Sequence, residues 1–113
     1  MPMIDSKITV PVSEEKRDIL KAEFGKAISV LGKSESYLML GFEDNYSLYF
    51  GGKKLEKGAF VSVQLLGEVN PKDSEKMTAE ICRILEKELG IPGDKVYITY
   101  SGFKNWGWNG GNF

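Results

Sequence analysis

Two segments of the chain repeat the same order of hydrophobic patterns. In each segment, a short alternating or apolar run is followed by apolar residues at helical spacing, which end in Leu-Gly, and then by a second apolar run. Such a change of period, from two to about 3.6 and back, indicates strand, helix and strand. The pattern therefore predicts two β-α-β units in one chain, covering roughly residues 3–42 and 60–100.

The first unit opens with a predicted strand over residues 3–10, in which apolar and polar residues alternate. Ser13 is placed to cap a helix, because two glutamates follow it in the first turn, where acids favour the helix dipole. Gly32 is placed to end that helix, and a second strand is predicted over residues 37–42. The apolar stripe of the helix consists of Leu20, Phe24, Ala27, Ile28 and Leu31.

The second unit repeats this arrangement. A strand is predicted over residues 60–66, and Asn70-Pro71 then opens a helix, with proline at its first position. Gly90 ends the helix, and residues 96–100 form the closing strand. The apolar stripe of this helix consists of Met77, Ile81, Ile84, Leu85 and Leu89.

Together the two units predict an α+β fold in a single domain of residues 1–113. Its four-stranded mixed sheet should carry both helices on one face, since parallel crossovers share one handedness. A short extra strand is predicted over residues 46–50, between the units. The other sheet face mixes polar and apolar residues, and the C-terminal segment 103–113 carries four aromatic residues among Gly and Asn. Both features predict that copies of the chain associate.

The composition excludes several classes of partner. The 15 basic and 16 acidic residues give a net charge of −1, which argues against nucleic acid and anionic membranes. No apolar stretch is long enough to span a bilayer, and the N-terminus lacks the apolar core of a signal peptide. The single Cys82 cannot form an intramolecular disulfide. We expect a cytoplasmic protein, or one that is released without a signal peptide.

The chain has no histidine and one cysteine, so the Ser-His-Asp, Cys-His and usual zinc arrangements are not possible. We expect neither a metal nor a cofactor. Pro2 offers another base: if Met1 is removed, its ring nitrogen becomes a free amine, a group that titrates near pH ~8. Partial burial would favour its neutral form. Taken alone, Pro2 could equally be the first residue of a strand, where proline is tolerated.

The chain resembles the macrophage migration inhibitory factor family of the tautomerase superfamily. The resemblance rests on the Met-Pro start, the duplicated units, the segment of residues 94–100 (Asp-Lys-Val-Tyr-Ile-Thr-Tyr) and the segment of residues 106–109 (Trp-Gly-Trp-Asn). It implies a homotrimer with active sites between subunits. It also implies cofactor-free keto–enol tautomerisation of a small α-keto acid such as phenylpyruvate.

The resemblance also implies roles for individual residues. Pro2 falls on the proline that moves the proton, and Lys33 falls on the cation that meets the carboxylate of the substrate. Tyr97 falls on a tyrosine that a neighbouring subunit contributes. The other implied substrate contacts are Leu66, through its main chain, Thr99, Trp108 and Phe113.

The resemblance leaves two alternatives open, and the sequence departs from the family pattern at two points that bear on them. Thr99 stands where the family usually has asparagine, and the Cys-x-x-Cys of the cytokine is absent. One alternative is a cytokine-like signalling protein that retains the pocket and binds a receptor, whose identity the sequence does not reveal. The other is an isomerase of the dopachrome tautomerase type.

Overall fold

A computed structural model describes all of residues 1–113. It contains three short 3₁₀-helices, at Ile28–Leu31, Glu35–Tyr37 and Gly93–Lys95. In chain order the main elements are β1 (Pro2–Ile8), α1 (Glu14–Ala27), β2 (Met39–Glu43), β3 (Tyr49–Phe50), β4 (Lys53–Lys54), β5 (Ala59–Leu66), α2 (Pro71–Leu89), β6 (Val96–Phe103), β7 (Gly107–Trp108) and β8 (Gly111–Asn112).

The main sheet has the strand order β2-β1-β5-β6. β1 pairs in parallel with β2, and β5 pairs in parallel with β6, as two β-α-β units require. The units meet along the antiparallel pair of β1 and β5. The predicted four-stranded mixed sheet with two helices is confirmed. Neither helix is long and apolar enough to cross a membrane.

Local capping sets the ends of both helices. The side chain of Ser13 accepts a hydrogen bond from the main-chain N–H of Lys16, and Gly32 closes the helical segment with φ of 71°. The side chain of Asn70 accepts from two main-chain N–H groups of the first turn of α2, and Gly90 ends that helix with φ of 68°. These caps satisfy groups that a helix end leaves unpaired. All four were predicted, but α1 itself ends at Ala27, and it is the 3₁₀-helix Ile28–Leu31 that extends to Gly32.

The hydrophobic core lies between one face of the sheet and the two helices. Side chains alternate along β1 and β5, so that every second residue is buried against the helices. The ring of Phe24 on α1 stacks on that of Phe42 on β2, with centroids 6.1 Å apart. The fully buried residues of this core include Ile4, Ile8, Leu20, Phe24, Ile28, Val61, Met77, Ile81, Ile84 and Leu85.

The opposite face of the sheet, which we call the open face, carries no helix. Polar side chains lie in one row across its centre, because Asp5 is opposite Ser62 and Ser62 is opposite Thr99. Large apolar groups lie toward its margins, and Met39 and Tyr97 are 68% and 64% exposed. This surface is the one that the sequence predicted to be covered by further copies of the chain, and the trimer stays a prediction.

The strand predicted over residues 37–42 begins two residues late, at Met39. Residues Glu35–Tyr37 instead form a 3₁₀ turn, because the side chain of Ser34 caps it by accepting from the N–H of Ser36. Tyr37 therefore lies before the strand, and half of its surface is exposed.

The strand predicted over residues 46–50 is also shorter, and only Tyr49–Phe50 is extended and paired. Asn45 has φ of 54°, and the N–H of Tyr46 donates to the carbonyl of Ile8, so the chain turns after β2, beside the end of β1. In contrast, the strand predicted over residues 96–100 continues to Phe103, as β6 follows the full length of β5.

Candidate active site

The N-terminus is held against the end of β5. Pro2 is buried and lies opposite Leu65 in the antiparallel pair of β1 and β5. The main-chain N–H of Leu66 donates to the carbonyl oxygen of Met1 at 3.0 Å. Two consecutive residues of β5 thus fix the position of the first peptide bond.

Lys33 lies next to this N-terminus. It follows the helix-ending Gly32, and its Nζ donates to the carbonyl oxygen of Leu66 at 3.0 Å. Burial, and then the positive charge of Lys33, lower the pKa of the Met1 amino group. No carboxylate oxygen lies within 4.0 Å of the Lys33 ammonium. The site therefore holds an unneutralised cation beside the N-terminus.

A cavity of about 470 Å³ opens beside Pro2, and eight of its eleven lining residues are hydrophobic. One wall is an aromatic cluster. The rings of Trp108 and Phe113 stack with centroids 5.4 Å apart, and Tyr37 meets them edge-on at 5.8 and 6.2 Å. A space of this size and lining suits a small ligand with an aromatic or apolar group.

The C-terminal hairpin positions two of these aromatic residues. β7 pairs with β8 across a turn at Asn109 and Gly110, and the N–H of Phe113 donates to the carbonyl of Trp106 at 3.1 Å. The segment was predicted to pack on a neighbouring copy, but its aromatic rings find partners within their own chain. Trp106 also lines the cavity.

The structure does not bring Tyr97 or Thr99 to Pro2 within one chain. Tyr97 on β6 is opposite Phe60 on β5, and Phe60 is opposite Lys7 on β1. Tyr97 is therefore two strands away from β1, at the level of a residue five positions beyond Pro2. Strand spacings make this separation about 20 Å. Tyr97 and Thr99 do share the open face, as the alternation predicted. The ring of Tyr97 instead contacts Phe50, with centroids 5.3 Å apart.

Sequence reasoning missed Tyr37 and Trp106 as site residues. Tyr37 was placed in a strand, although the pair Ser34 and Ser36 signals a turn before it. Trp106 was noted only as part of an aromatic segment. Met1 also lines the cavity, as expected for a chain that retains it.

The main chain of Leu66 lies at the candidate site, and its role as a substrate contact stays a prediction. Its N–H and its carbonyl both lie at the site, bonded to Met1 and Lys33. No group of three or more His, Cys, Asp or Glu is placed to hold a metal ion. The chemistry that these residues can perform is acid–base chemistry by an amine beside an ammonium group.

The chain matches the family model described as macrophage migration inhibitory factor over residues 1–113. It is 30% identical to the macrophage migration inhibitory factor homolog of Trichuris trichiura, with 100% of both chains covered. Its fold is similar to the crystal structure of Leishmania major MIF2, with 35% identity, a TM-score of 0.93 and coverage of 100% of this chain and 97% of that chain. The macrophage migration inhibitory factor-like protein of Entamoeba histolytica has 26% identity, a TM-score of 0.88 and coverage of 99% and 98%.

Proposed function

The chain belongs to the macrophage migration inhibitory factor family, and from this premise we propose that it is a keto–enol tautomerase of small α-keto acids of the phenylpyruvate type. In this proposal the N-terminal amine of Pro2 moves the proton, after Met1 has been removed. The reaction only relocates a proton and a double bond, so it consumes no cofactor.

The observation that carries this proposal is the hydrogen bond between Leu66 and Met1. The Met1 carbonyl is attached directly to the nitrogen of Pro2, and its oxygen accepts from the N–H of Leu66 at 3.0 Å. Removal of Met1 would leave the amine of Pro2 beside a main-chain donor without a partner. A substrate oxygen could then occupy the position of the Met1 oxygen, next to the proposed base.

The proposed step is a proton transfer between an oxygen and a carbon of the substrate. The neutral amine of Pro2 takes the hydroxyl proton of the enol, and the resulting ammonium returns it to the adjacent carbon as the carbonyl forms. General acid–base catalysis requires an amine that is neutral at the working pH. Burial and the charge of Lys33, which lower the pKa of the Met1 amine, would act in the same direction on Pro2.

Lys33 and the aromatic cluster would orient the substrate. One of the three donors of the Lys33 ammonium is used by Leu66, and the other two can bind the carboxylate of an α-keto acid. The rings of Tyr37, Trp108 and Phe113 would contact an aryl or apolar group. These placements support a substrate with an anionic end and an apolar end.

A second copy of the chain would complete the site. Tyr97 and Thr99 lie too far from Pro2 to reach it within one chain, and both face outward on the open face. In a homotrimer they would line the pocket of a neighbour, as the family resemblance implies. The oligomer is therefore part of the proposed mechanism.

The test is the conversion of enol phenylpyruvate by protein whose intact mass shows that Met1 is absent. We expect catalysed ketonisation in the unmodified chain, and a rate about 100-fold or more lower in Pro2→Gly, since a positioned base contributes about 10²–10⁴-fold. The control is Pro11→Ala, which changes an exposed proline outside the site and should retain full activity. Equal activity in Pro2→Gly would exclude Pro2 as the base, and no activity in processed protein would exclude this substrate.

A further inference from the structure

We propose that the β3–β4 hairpin and the segment before β6 form a second binding site, for a small anion that carries two or more phosphate groups. The lysine site, as we call it, is formed by Lys53, Lys54, Lys57 and Lys95. These residues line a cavity of about 370 Å³ that shares no residue with the cavity beside Pro2.

The four ammonium groups of the lysine site are not neutralised. None has a carboxylate oxygen within 4.0 Å, and Glu56, the one acid that lines the cavity, forms no ion pair. Four like charges around one cavity repel each other, and a multivalent anion would remove that repulsion. Six cations elsewhere in the chain do have a carboxylate partner, namely Lys7, Lys16, Arg17, Lys21, Arg83 and Lys87.

The backbone that carries the lysine site is held from both sides. The turn at Gly51 and Gly52 has positive φ at both residues, which is the geometry of a tight hairpin. Beyond the hairpin, Thr9 accepts from the N–H of Gly58 at 2.9 Å and donates to the carbonyl of Glu56 at 3.0 Å. The lysines therefore project from a fixed scaffold, which lowers the entropic cost of binding.

Two of the lysines are also positioned by uncharged groups. The Nζ of Lys95 lies 5.1 Å from the centre of the Phe50 ring. The Nζ of Lys57 lies close to Gly90, at the C-terminal end of α2, where the helix dipole favours a cation. A ring and a helix end hold these ammonium groups in place and leave their charge available.

Four cations around one cavity match an anion that carries several charges, as a chain of phosphate groups does. All four cations are lysines, and each presents a compact charge with three donors on a flexible stem. Lysine is a common phosphate ligand, which it binds as a point charge. The cavity has room for more than one phosphate group.

The test is isothermal titration of the full chain with inorganic tripolyphosphate at constant ionic strength. We expect saturable binding that is about tenfold weaker in Lys53→Gln/Lys54→Gln, because two of the four charged contacts to the anion are lost. The matched control is Lys72→Gln/Lys76→Gln, which removes the same charge from the surface of α2 and should bind normally. Tautomerisation should be unchanged in both variants, because none of the substituted lysines lines the cavity beside Pro2 or the surface around Tyr97.

An equal loss of affinity in the two double variants would mean that binding depends only on the net charge of the protein, and it would overturn the proposal. The absence of saturable binding would also overturn it. If the first double variant unfolds, as judged by circular dichroism, Lys95→Gln serves in its place and should weaken binding. The protein can also be sedimented with phosphatidylserine vesicles. If it binds the vesicles and tripolyphosphate does not release it, the lysines bind a membrane surface and the proposal of a small anion is overturned.

Discussion

The main-chain N–H of Leu66 donates a 3.0 Å hydrogen bond to the carbonyl oxygen of Met1, the same carbonyl that blocks the nitrogen of Pro2. The bond links the last residue of β5 to the first peptide bond of the chain. While Met1 is present, the nitrogen of Pro2 is an amide without basic character, and the N–H of Leu66 is occupied. Removal of one residue would release both groups together.

The first prediction concerns Met1. We expect chains that retain Met1 to be inactive as tautomerases, because they lack the amine and fill the position of the substrate oxygen. A preparation enriched in unprocessed chain, for example from cells with inhibited methionine aminopeptidase, should have a rate proportional to its processed fraction by intact mass. Full activity in Met1-bearing protein would contradict the mechanism.

The second prediction concerns pH. A cation beside an amine disfavours its protonated form, so Lys33→Met should raise the pKa of Pro2. The rising limb of kcat/KM against pH, which follows the neutral amine, should then move to higher pH, and KM for an α-keto acid should increase. Lys33→Arg should keep the profile in place, and Lys26→Met, on the exposed surface of α1, is the control. An unchanged pH profile in Lys33→Met would show that the charge of Lys33 does not lower the pKa of the Pro2 amine.

The third prediction concerns Thr99, which is exposed on the open face. A threonine hydroxyl reaches less far than an asparagine amide, so a water can bridge it to the substrate at little cost. We expect Thr99→Asn to change turnover by less than about tenfold and to alter the preference between aryl and alkyl substrates more than the rate. Loss of all turnover in Thr99→Ala would mean that its hydroxyl takes part in the chemistry.

The fourth prediction concerns assembly. We expect light scattering at micromolar concentration to give three times the mass of the chain, because the open face and Tyr97 are uncovered in one copy. Ser62→Glu places a charge at the centre of that face and should shift the mass toward the monomer. Ser47→Glu, in an exposed loop, should not. A monomer for the unmodified chain would remove the shared site.

The fifth prediction concerns Gly102, at the end of β6. A Cβ atom here would overlap the carbonyl oxygen of Gly67. Gly67 is held in place because its N–H donates to the carbonyl oxygen of Phe103 at 2.8 Å. Gly102→Ala should lower the free energy of unfolding by about 1–3 kcal/mol, as overpacking does. It should also displace the neighbouring Leu66 and reduce activity. Gly111→Ala, which meets no atom within 4 Å, is the control in a denaturation experiment.

Local sequence determined where both helical segments begin and end, although the first changes from α-helix to 3₁₀-helix after Ala27. Ser13 and Gly32 bound the first helical segment, and Asn70 and Gly90 bound the second. These signals could be read because a cap acts within three or four residues of itself. The alternation along β1 and β5 likewise identified the buried side of the sheet.

The strand ends were less predictable, because turn chemistry competes with hydrophobic pattern over a few residues. The apolar run from Tyr37 suggested a strand, but the cap by Ser34 holds Tyr37 in a 3₁₀ turn. This difference of two residues lets the ring of Tyr37 meet Trp108 and Phe113. A cavity wall thus depended on one local hydrogen bond.

The sequence by itself determined the two β-α-β units and their caps and, through the family resemblance, predicted Pro2 and Lys33 as site residues. Only the tertiary structure decided that Lys33 meets Leu66, because the contact joins residues 33 positions apart and depends on the order of the strands. The same strand order puts β5 between β1 and β6, and so keeps Tyr97 away from Pro2 within one chain. Side-chain pattern reports which face of a strand is buried, but the neighbours of a strand follow from packing between distant segments.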